Sequence, residues 1–211
     1  MTRRRSRTHF LSSLAATSIV LVAGAGVFWI KTDGARAFTS ESARRLAITR
    51  TPRKPPPALL EASDRRLFTL ENFHGRMVVV DFIYTHCPTV CFSLGSSFAR
   101  LQIALDESRR DDVHLLSVGF DIARDTPDAL STYGQRHKAD PKRWTLVRVA
   151  NVRDLKPLLS AFGIVVIPDE YGGFTHNAAL HVVDRQGRLV RIFDADDIDG
   201  VREFIGTKRG S

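Results

Sequence analysis

The chain has 211 residues, of which 43% are hydrophobic and 26% charged, a composition typical of a globular protein rather than a disordered or fibrous one. Its two cysteines are too few for a scaffold held by several disulfides, or for a four-cysteine zinc or iron–sulfur site. The net charge of +8 suggests a nucleic-acid-binding protein, but five of the excess positive charges lie within residues 1–31, which contain no acid. The remaining 26 basic and 23 acidic residues nearly balance, so we expect no nucleic-acid partner.

The first predicted element is an uncharged stretch of 21 residues, Phe10 to Ile30, behind an arginine-rich start. A helix of that length reaches about 30 Å, enough to cross the apolar core of a bilayer. We therefore expect residues 1–31 to form a transmembrane anchor or, because small residues surround Arg36, a cleaved signal segment. The preceding positive charge predicts that the bulk of the chain lies outside the cytoplasm, on the periplasmic side of a bacterial inner membrane or in an equivalent compartment.

Residues 32–58 have no sustained apolar period and end in three consecutive prolines, so they are predicted to form a proline-rich, semi-rigid linker. Residues 59–211 alternate strand and helix patterns. Strands are predicted at Met77–Tyr84, Val113–Phe120, Trp144–Val149, Leu180–Val183 and Leu189–Phe193, and helices at 89–109, from Thr126 onward, at 152–162 and at 198–205. Pro157 is expected to bend the third of these helices or delay its start. The alternation predicts an α/β domain with a central mixed sheet and helices on both faces.

The two cysteines, Cys87 and Cys91, fall where a central strand ends and a helix begins, a usual position for ligand-binding groups in α/β sheets. A spacing of four residues puts both sulfurs on one helix face, close enough to form a disulfide or share a metal. The partial positive charge at the helix start favours the thiolate that either role requires. Two buried structural cysteines, or one structural disulfide, remain the alternative.

Two thiolates leave most metal sites incomplete, so a histidine is the natural third ligand. His176 stands after the Gly172-Gly173 loop at the mouth of a strand, where its side chain can reach across the end of the sheet. His86 adjoins Cys87 but is expected to point away from Cys91, and His181 is expected to pack inside its strand. The other histidines of the domain, His74, His114 and His137, are expected at a polar turn or partly exposed.

Three segments of the chain resemble the Sco (SenC) family of membrane-anchored, thioredoxin-like copper proteins involved in cytochrome c oxidase assembly. They are residues 82–91 (FIYTHCPTVC), 118–127 (VGFDIARDTP) and 175–184 (THNAALHVVD), and the resemblance covers roughly residues 66–204. The likeness implies that Cys87, Cys91 and His176 bind copper, as Cu(I) or Cu(II), and that Asp121 lies near the metal. Phe92 departs from the proline that often follows the second cysteine in the family.

The resemblance implies a metallochaperone, rather than an enzyme, that delivers copper to the dinuclear centre of cytochrome c oxidase subunit II after receiving it from a copper donor protein. Soft thiolates and an imidazole suit copper in either oxidation state, whereas zinc would want a fourth donor from Asp121 or water. Asp121 has a second interpretation as a salt-bridge residue, and Arg124 and Asp125 are expected to brace the loop against the next helix. The main alternative function is a membrane-tethered thiol–disulfide oxidoreductase using Cys87 and Cys91, and a peroxidase-like activity is a third.

Overall fold

The computed structural model describes residues 3–31, 39–86, 90–170 and 172–208. The chain divides into two compact units, Met1–Ala47 and Ile48–Ser211. Helix α1 (Arg3–Lys31) lies in the first unit, and α2 (Ser40–Arg50) begins there. Among the described residues, no helix combines the length and the apolar character needed to cross a membrane, so a spanning segment is not seen.

The region predicted as a linker contains regular structure that its sequence did not reveal. Helix α2 occupies residues 40–50, and Ile48 at its end is buried in the core of the second unit. Further along, the backbone N–H of Arg53 donates to Leu189 at 3.3 Å, and the N–H of Leu189 donates back at 2.9 Å. Residues from Ile48 onward therefore belong to the packed unit, and Ala58 is buried in it as well.

The second unit is built on a seven-stranded mixed sheet, which confirms the predicted fold class. In chain order its strands are β1 (Leu60–Ala62), β2 (Leu67–Phe68), β3 (Met77–Ile83), β4 (Val113–Gly119), β5 (Trp144–Val149), β8 (Ala179–Val183) and β9 (Leu189–Asp194), arranged spatially as β2-β1-β5-β4-β3-β8-β9. Strands β3, β4 and β5 are parallel, whereas β8 pairs antiparallel with β3 and with β9. Strands β6 (Val166–Pro168) and β7 (Phe174–His176) form a separate antiparallel pair.

Four helices accompany this sheet, α3 (Val90–Glu107), α4 (Pro127–Arg136), α5 (Val152–Phe162) and α6 (Ile198–Thr207). On one face, Phe162 of α5 packs against Phe82 of β3 with ring centroids 5.1 Å apart. On the other, Phe98 of α3 packs 5.4 Å from the ring of Trp144, whose indole N–H donates to Ser117 at 2.9 Å. Because neighbouring positions of a strand face opposite sides, these contacts show that the sheet is covered on both faces.

The helix ends follow the local signals in the sequence. Thr126 caps α4 by accepting a hydrogen bond from the N–H of Ala129 at 3.2 Å, and Gly163 ends α5 with a left-handed φ of 66°. Pro157 does not delay α5, which starts five residues earlier at Val152. Proline lacks a backbone N–H, so the helix has one fewer hydrogen bond there.

Two histidine assignments need correction. His114 and His137 are both buried, not partly exposed. The ring of His114 lies 4.9 Å from that of Phe73 and its Nε2 is 2.8 Å from the hydroxyl of Thr145, contacts made across distant parts of the chain. The prediction for His181 is confirmed, because it is fully buried within β8.

The burial of His114 predicts a loss of stability in acid. Burial, with repulsion from Arg76 and Arg143, lowers its pKa from 6.5 to about 4, so the unfolded chain binds the proton more readily. The free energy of unfolding is therefore expected to fall as pH drops from 6.5 to 4, by up to about 3 kcal/mol. His114→Gln should flatten this part of the profile in urea titrations at several pH values. The exposed His74→Gln variant should keep it, and equal slopes in both variants would contradict the assignment.

Candidate metal centre

The cysteine pair lies only partly within the structure. Cys87 falls outside the described residues, and Cys91 is described as a backbone position in the first turn of α3. The distances that join the two sulfurs to each other and to His176 therefore stay predictions. Within the described ranges, no three His, Cys, Asp or Glu side chains cluster closely enough to hold a metal ion.

His176 is brought to the carboxyl end of β3, the strand that leads into the cysteines. It ends β7 and pairs with Val166, so it lies outside β8 and the strand of His181 does not extend back to it. Its Nε2 lies 3.0 Å from the backbone oxygen of Phe82. A carbonyl oxygen only accepts, so Nε2 carries the hydrogen and Nδ1 keeps its lone pair for a ligand. Such fixing of the tautomer by an outer hydrogen bond is usual for metal-binding histidines.

The surroundings of His176 favour its neutral form. Burial lowers the pKa of its imidazole, and the hydrogen bond to Phe82 opposes this in part. The ring meets Phe120 edge-on with centroids 5.1 Å apart and lies 6.2 Å from Tyr84. A neutral ring is the form that binds a metal, so no proton has to be displaced from it near neutral pH.

Tyr84 links β7 to the end of β3. Its hydroxyl donates to the backbone oxygen of Phe174 at 3.0 Å, and the two rings meet edge-on at 5.4 Å. Phe174 in turn packs 5.6 Å from Phe120 at the end of β4. The sequence did not single out these aromatic residues as part of the site, although Tyr84 and Phe120 are each the last residue of a predicted strand.

The carboxylate of Asp125 binds the backbone and side chain of Thr85, two residues before Cys87 in the chain. One of its carboxylate oxygens accepts hydrogen bonds from the N–H and the hydroxyl of Thr85 at 2.7 and 2.8 Å, and the other accepts from the N–H of Asp121 at 2.8 Å. The carboxyl is fully buried, and this burial raises its pKa although the bonds from Thr85 oppose the shift. A Cβ at Gly119 would lie 2.8 Å from this carboxylate, so glycine leaves the room it needs. Asp125 therefore braces the segment that enters the cysteine motif, whereas its predicted role was to brace its own loop against the next helix.

Asp121 lies at the end of β4 and is buried, but its carboxylate is engaged by the guanidinium of Arg124. Arg124 also stacks over the ring of Phe174, 5.6 Å from its centroid. This ion pair matches the salt-bridge interpretation of Asp121 and adds a second link between the end of β4 and β7. His86, the alternative third ligand, is exposed.

Removing the Asp125 carboxylate tests its bracing role. Asp125→Ala deletes three buried hydrogen-bond acceptor contacts, so we expect the free energy of unfolding to fall by about 2–4 kcal/mol. Amide hydrogen exchange at Thr85 and Asp121 should accelerate beyond the global effect. The exposed control Asp196→Ala should change stability by less than about 0.5 kcal/mol. Protection at Thr85 that survives in Asp125→Ala would show that other contacts hold the loop.

Comparison with known proteins shows which protein family this chain resembles. The family model described as SCO1/SenC matches residues 56–203. A putative copper-binding protein of Stutzerimonas stutzeri is 28% identical over 153 residues, which cover 71% of this chain and 72% of the relative.

Solved structures share the fold at lower sequence identity. A SCO1/SenC family lipoprotein from Bacillus anthracis superposes with a TM-score of 0.69 at 22% identity, covering 75% of this chain and 97% of that one. The copper-bound ScoI of Arabidopsis thaliana superposes with a TM-score of 0.63 at 21% identity, covering 72% and 98%. Because the family model spans most of its length, this chain belongs to the SCO1/SenC family and has that family's thioredoxin-like fold.

Proposed function

We propose that this protein binds copper as a cargo through Cys87, Cys91 and His176 and delivers it during assembly of cytochrome c oxidase. The observation that carries the proposal is the placement of His176 at the end of β3, with Nε2 donating to Phe82 and Nδ1 left for a metal. Family membership supports it, as do a relative named for copper binding and a solved neighbour that contains copper.

The donor set suits copper better than other first-row metals. Two thiolates and an imidazole are soft or borderline ligands, which copper accepts in both oxidation states. A zinc site would normally require a fourth donor, whereas the nearby carboxylate of Asp121 is already paired with Arg124. A three-ligand site at the edge of a sheet also leaves one side of the ion open, as transfer to another protein requires.

We propose that the copper acceptor is the dinuclear copper centre of cytochrome c oxidase subunit II, and that a separate donor protein loads the chain. This activity is metal transfer rather than catalysis. The partner-facing surface is proposed to include β6 and β7, because this hairpin carries His176 and exposes the apolar side chains Val165 and Ile167 beside it.

Thiol–disulfide exchange is the second candidate function. The two cysteines are spaced for a disulfide, and burial in the strand before them raises the pKa of the Asp81 carboxyl to about 7. An oxidised pair cannot bind copper, so the two functions would alternate on the same residues.

We also propose that the arginine-rich start and the uncharged stretch Phe10 to Ile30 direct the domain out of the cytoplasm, where an oxidised cysteine pair is stable. Fusing alkaline phosphatase, which is active only after export, behind residue 58 of this chain in a bacterium should give an active enzyme. Replacing Ile19 and Val22 by Asp should abolish that activity. Equal activity from a fusion to either version would contradict export through this segment.

Replacing His176 separates copper binding from thiol chemistry. The wild-type chain, reduced and titrated with Cu(II), should show intense thiolate-to-copper absorption at one equivalent. His176→Ala should lose most of this absorption because one of three ligands is gone, yet its two thiols should still oxidise to a disulfide.

Two comparisons make that experiment decisive. His74→Ala replaces an exposed histidine in the polar turn before β3 and should leave the copper spectrum unchanged. Cys87→Ser and Cys91→Ser should each lose both copper absorption and disulfide formation. An unaltered copper spectrum in His176→Ala would reject His176 as a ligand, and a reduced wild-type chain that ignores copper would reject the delivery function.

A further inference from the structure

A cavity of about 410 Å³ lies at the end of the sheet where β3 begins. Its lining includes apolar side chains, the buried Met77 and the half-buried Val190 and Phe204. The lining also includes the guanidinium groups of Arg185 and Arg188, which belong to the turn between β8 and β9. An apolar body with a few charged groups is the usual composition of a ligand-binding pocket.

Six basic residues line this cavity or border it, and together they form what we call the basic patch. Phe204 carries two of them over its ring, with the Arg191 guanidinium 5.9 Å and the Lys208 ammonium 5.8 Å from the centroid. The others come from the turn between β8 and β9 and from the segment that pairs with Leu189. The basic patch consists of Arg53, Lys54, Arg185, Arg188, Arg191 and Lys208.

Carboxylates neutralise only half of the charge of the basic patch. Three of its residues form ion pairs with nitrogen–oxygen distances of 2.7 to 2.9 Å, namely Lys54–Glu71, Arg185–Asp112 and Arg188–Asp184. Within the part of the chain that the structure describes, Arg53, Arg191 and Lys208 have no carboxylate partner. The patch therefore carries an excess of three positive charges.

The opposite end of the sheet is acidic. Strand β9 begins at Leu189 beside the basic patch and ends at Asp194, which is followed by the exposed Asp196 and Asp197. Strands β3 and β9 run in the same direction, because each pairs antiparallel with β8. A strand of the length of β3 spans about 20 Å, so about this distance separates the basic patch from the end that holds His176. The surface charge of the domain is thus polarised along its strands.

We propose that the basic patch docks the domain on a membrane surface that carries anionic phospholipids, with a headgroup phosphate seated at the cavity. Guanidinium and ammonium groups form charge-assisted hydrogen bonds with phosphate oxygens. Each basic side chain near an anionic leaflet improves partitioning roughly fivefold, so three uncompensated charges contribute on the order of a hundredfold. The apolar lining favours a lipid over a polynucleotide or an acidic peptide, because it can contact the carbon atoms next to the headgroup.

The path of the chain supports this orientation. The second unit begins with Ile48, and Thr49 and Pro52, which follow it, line the cavity. The residues before Ile48, with the uncharged stretch Phe10 to Ile30 that we propose directs export, are therefore joined to the domain at the basic patch. An anionic surface repels the acidic end, so the end that holds His176 faces away from the lipid and stays open to a partner protein.

Lysine acetylation of the full chain tests this docking. Lys54 and Lys208 belong to the basic patch, whereas Lys156 is an exposed residue of α5, the helix that follows the opposite end of β5. The chain is mixed with vesicles of phosphatidylcholine alone, or of phosphatidylcholine and phosphatidylglycerol in equal amounts, and acetylated with a neutral ester. Mass spectrometry gives the rate at each lysine. The anionic vesicles should slow Lys54 and Lys208 about threefold or more relative to the neutral ones, and Lys156 should react equally on both.

Two charge-reversal variants separate the basic patch from the net charge of the chain. Arg53→Glu combined with Lys208→Glu reverses two charges that have no carboxylate partner, and it should abolish the protection of Lys54. Arg153→Glu combined with Lys156→Glu changes the net charge equally at the opposite end, and it should leave Lys54 and Lys208 protected. In 1 M salt, where the Debye length is about 3 Å, the wild type should lose its protection.

Several outcomes would overturn the proposal. Equal acetylation of Lys54 and Lys208 on both kinds of vesicle would do so, as would protection of Lys54 that survives Arg53→Glu with Lys208→Glu. Soluble glycerol phosphate that protects as strongly as the vesicles would show a site for a free phosphate instead. Protection by polyglutamate but not by vesicles would show an acidic protein as the partner. None of these measurements involves copper, so they stand apart from the test of the metal centre.

Discussion

Three long-range contacts hold the carboxyl end of β3, and the proposed metal centre depends on them. The backbone oxygen of Phe82 accepts from His176, the hydroxyl of Tyr84 donates to Phe174, and the N–H of Thr85 donates to Asp125. These partners are 94, 90 and 40 residues apart in the chain, so each bond closes a large loop. Together they bring the histidine of a separate short strand to the place where the chain enters the cysteine motif.

This frame fixes the segments on either side of the proposed reaction site. The supporting groups are buried or half-buried, and their hydrogen bonds set the tautomer of His176 and the path of Thr85. The same strand carries Asp81, a fully buried carboxyl whose burial works against stability. Proteins commonly accept such a cost where it adjusts the chemistry of a site. Copper loading and disulfide formation both displace protons from the same thiols, so the two proposed activities compete for one cysteine pair.

The sequence predicts those parts of the fold that short-range patterns determine. The apolar run of β3, the threonine cap at Thr126 and the glycine stop at Gly163 predicted elements that the structure confirms. The short strands β6 and β7 were not predicted, because three-residue strands carry too little periodicity. The burial of His114 depends on Phe73, which lies 41 positions away in the sequence and gives no local signal.

In the candidate site, too, local sequence patterns predicted some features, and others depend on contacts between distant segments. The sequence analysis selected His176 and the cysteines from their positions at predicted strand ends. It did not predict the hydrogen bond from Thr85 to Asp125, because these segments are 40 residues apart and meet only in the folded sheet. Asp81 was present in the sequence as one acid in an otherwise apolar run, a pattern that signals a buried carboxyl once the strand is known to be central.

The most direct test of the central claim is X-ray absorption spectroscopy at the copper edge on the copper-loaded chain. Two sulfur neighbours and one imidazole nitrogen around the copper, with the imidazole contribution absent in His176→Ala, are the expected result. A first shell of oxygen and nitrogen alone, or an imidazole contribution that survives the loss of His176, would contradict a centre built from the cysteine pair and the histidine of β7.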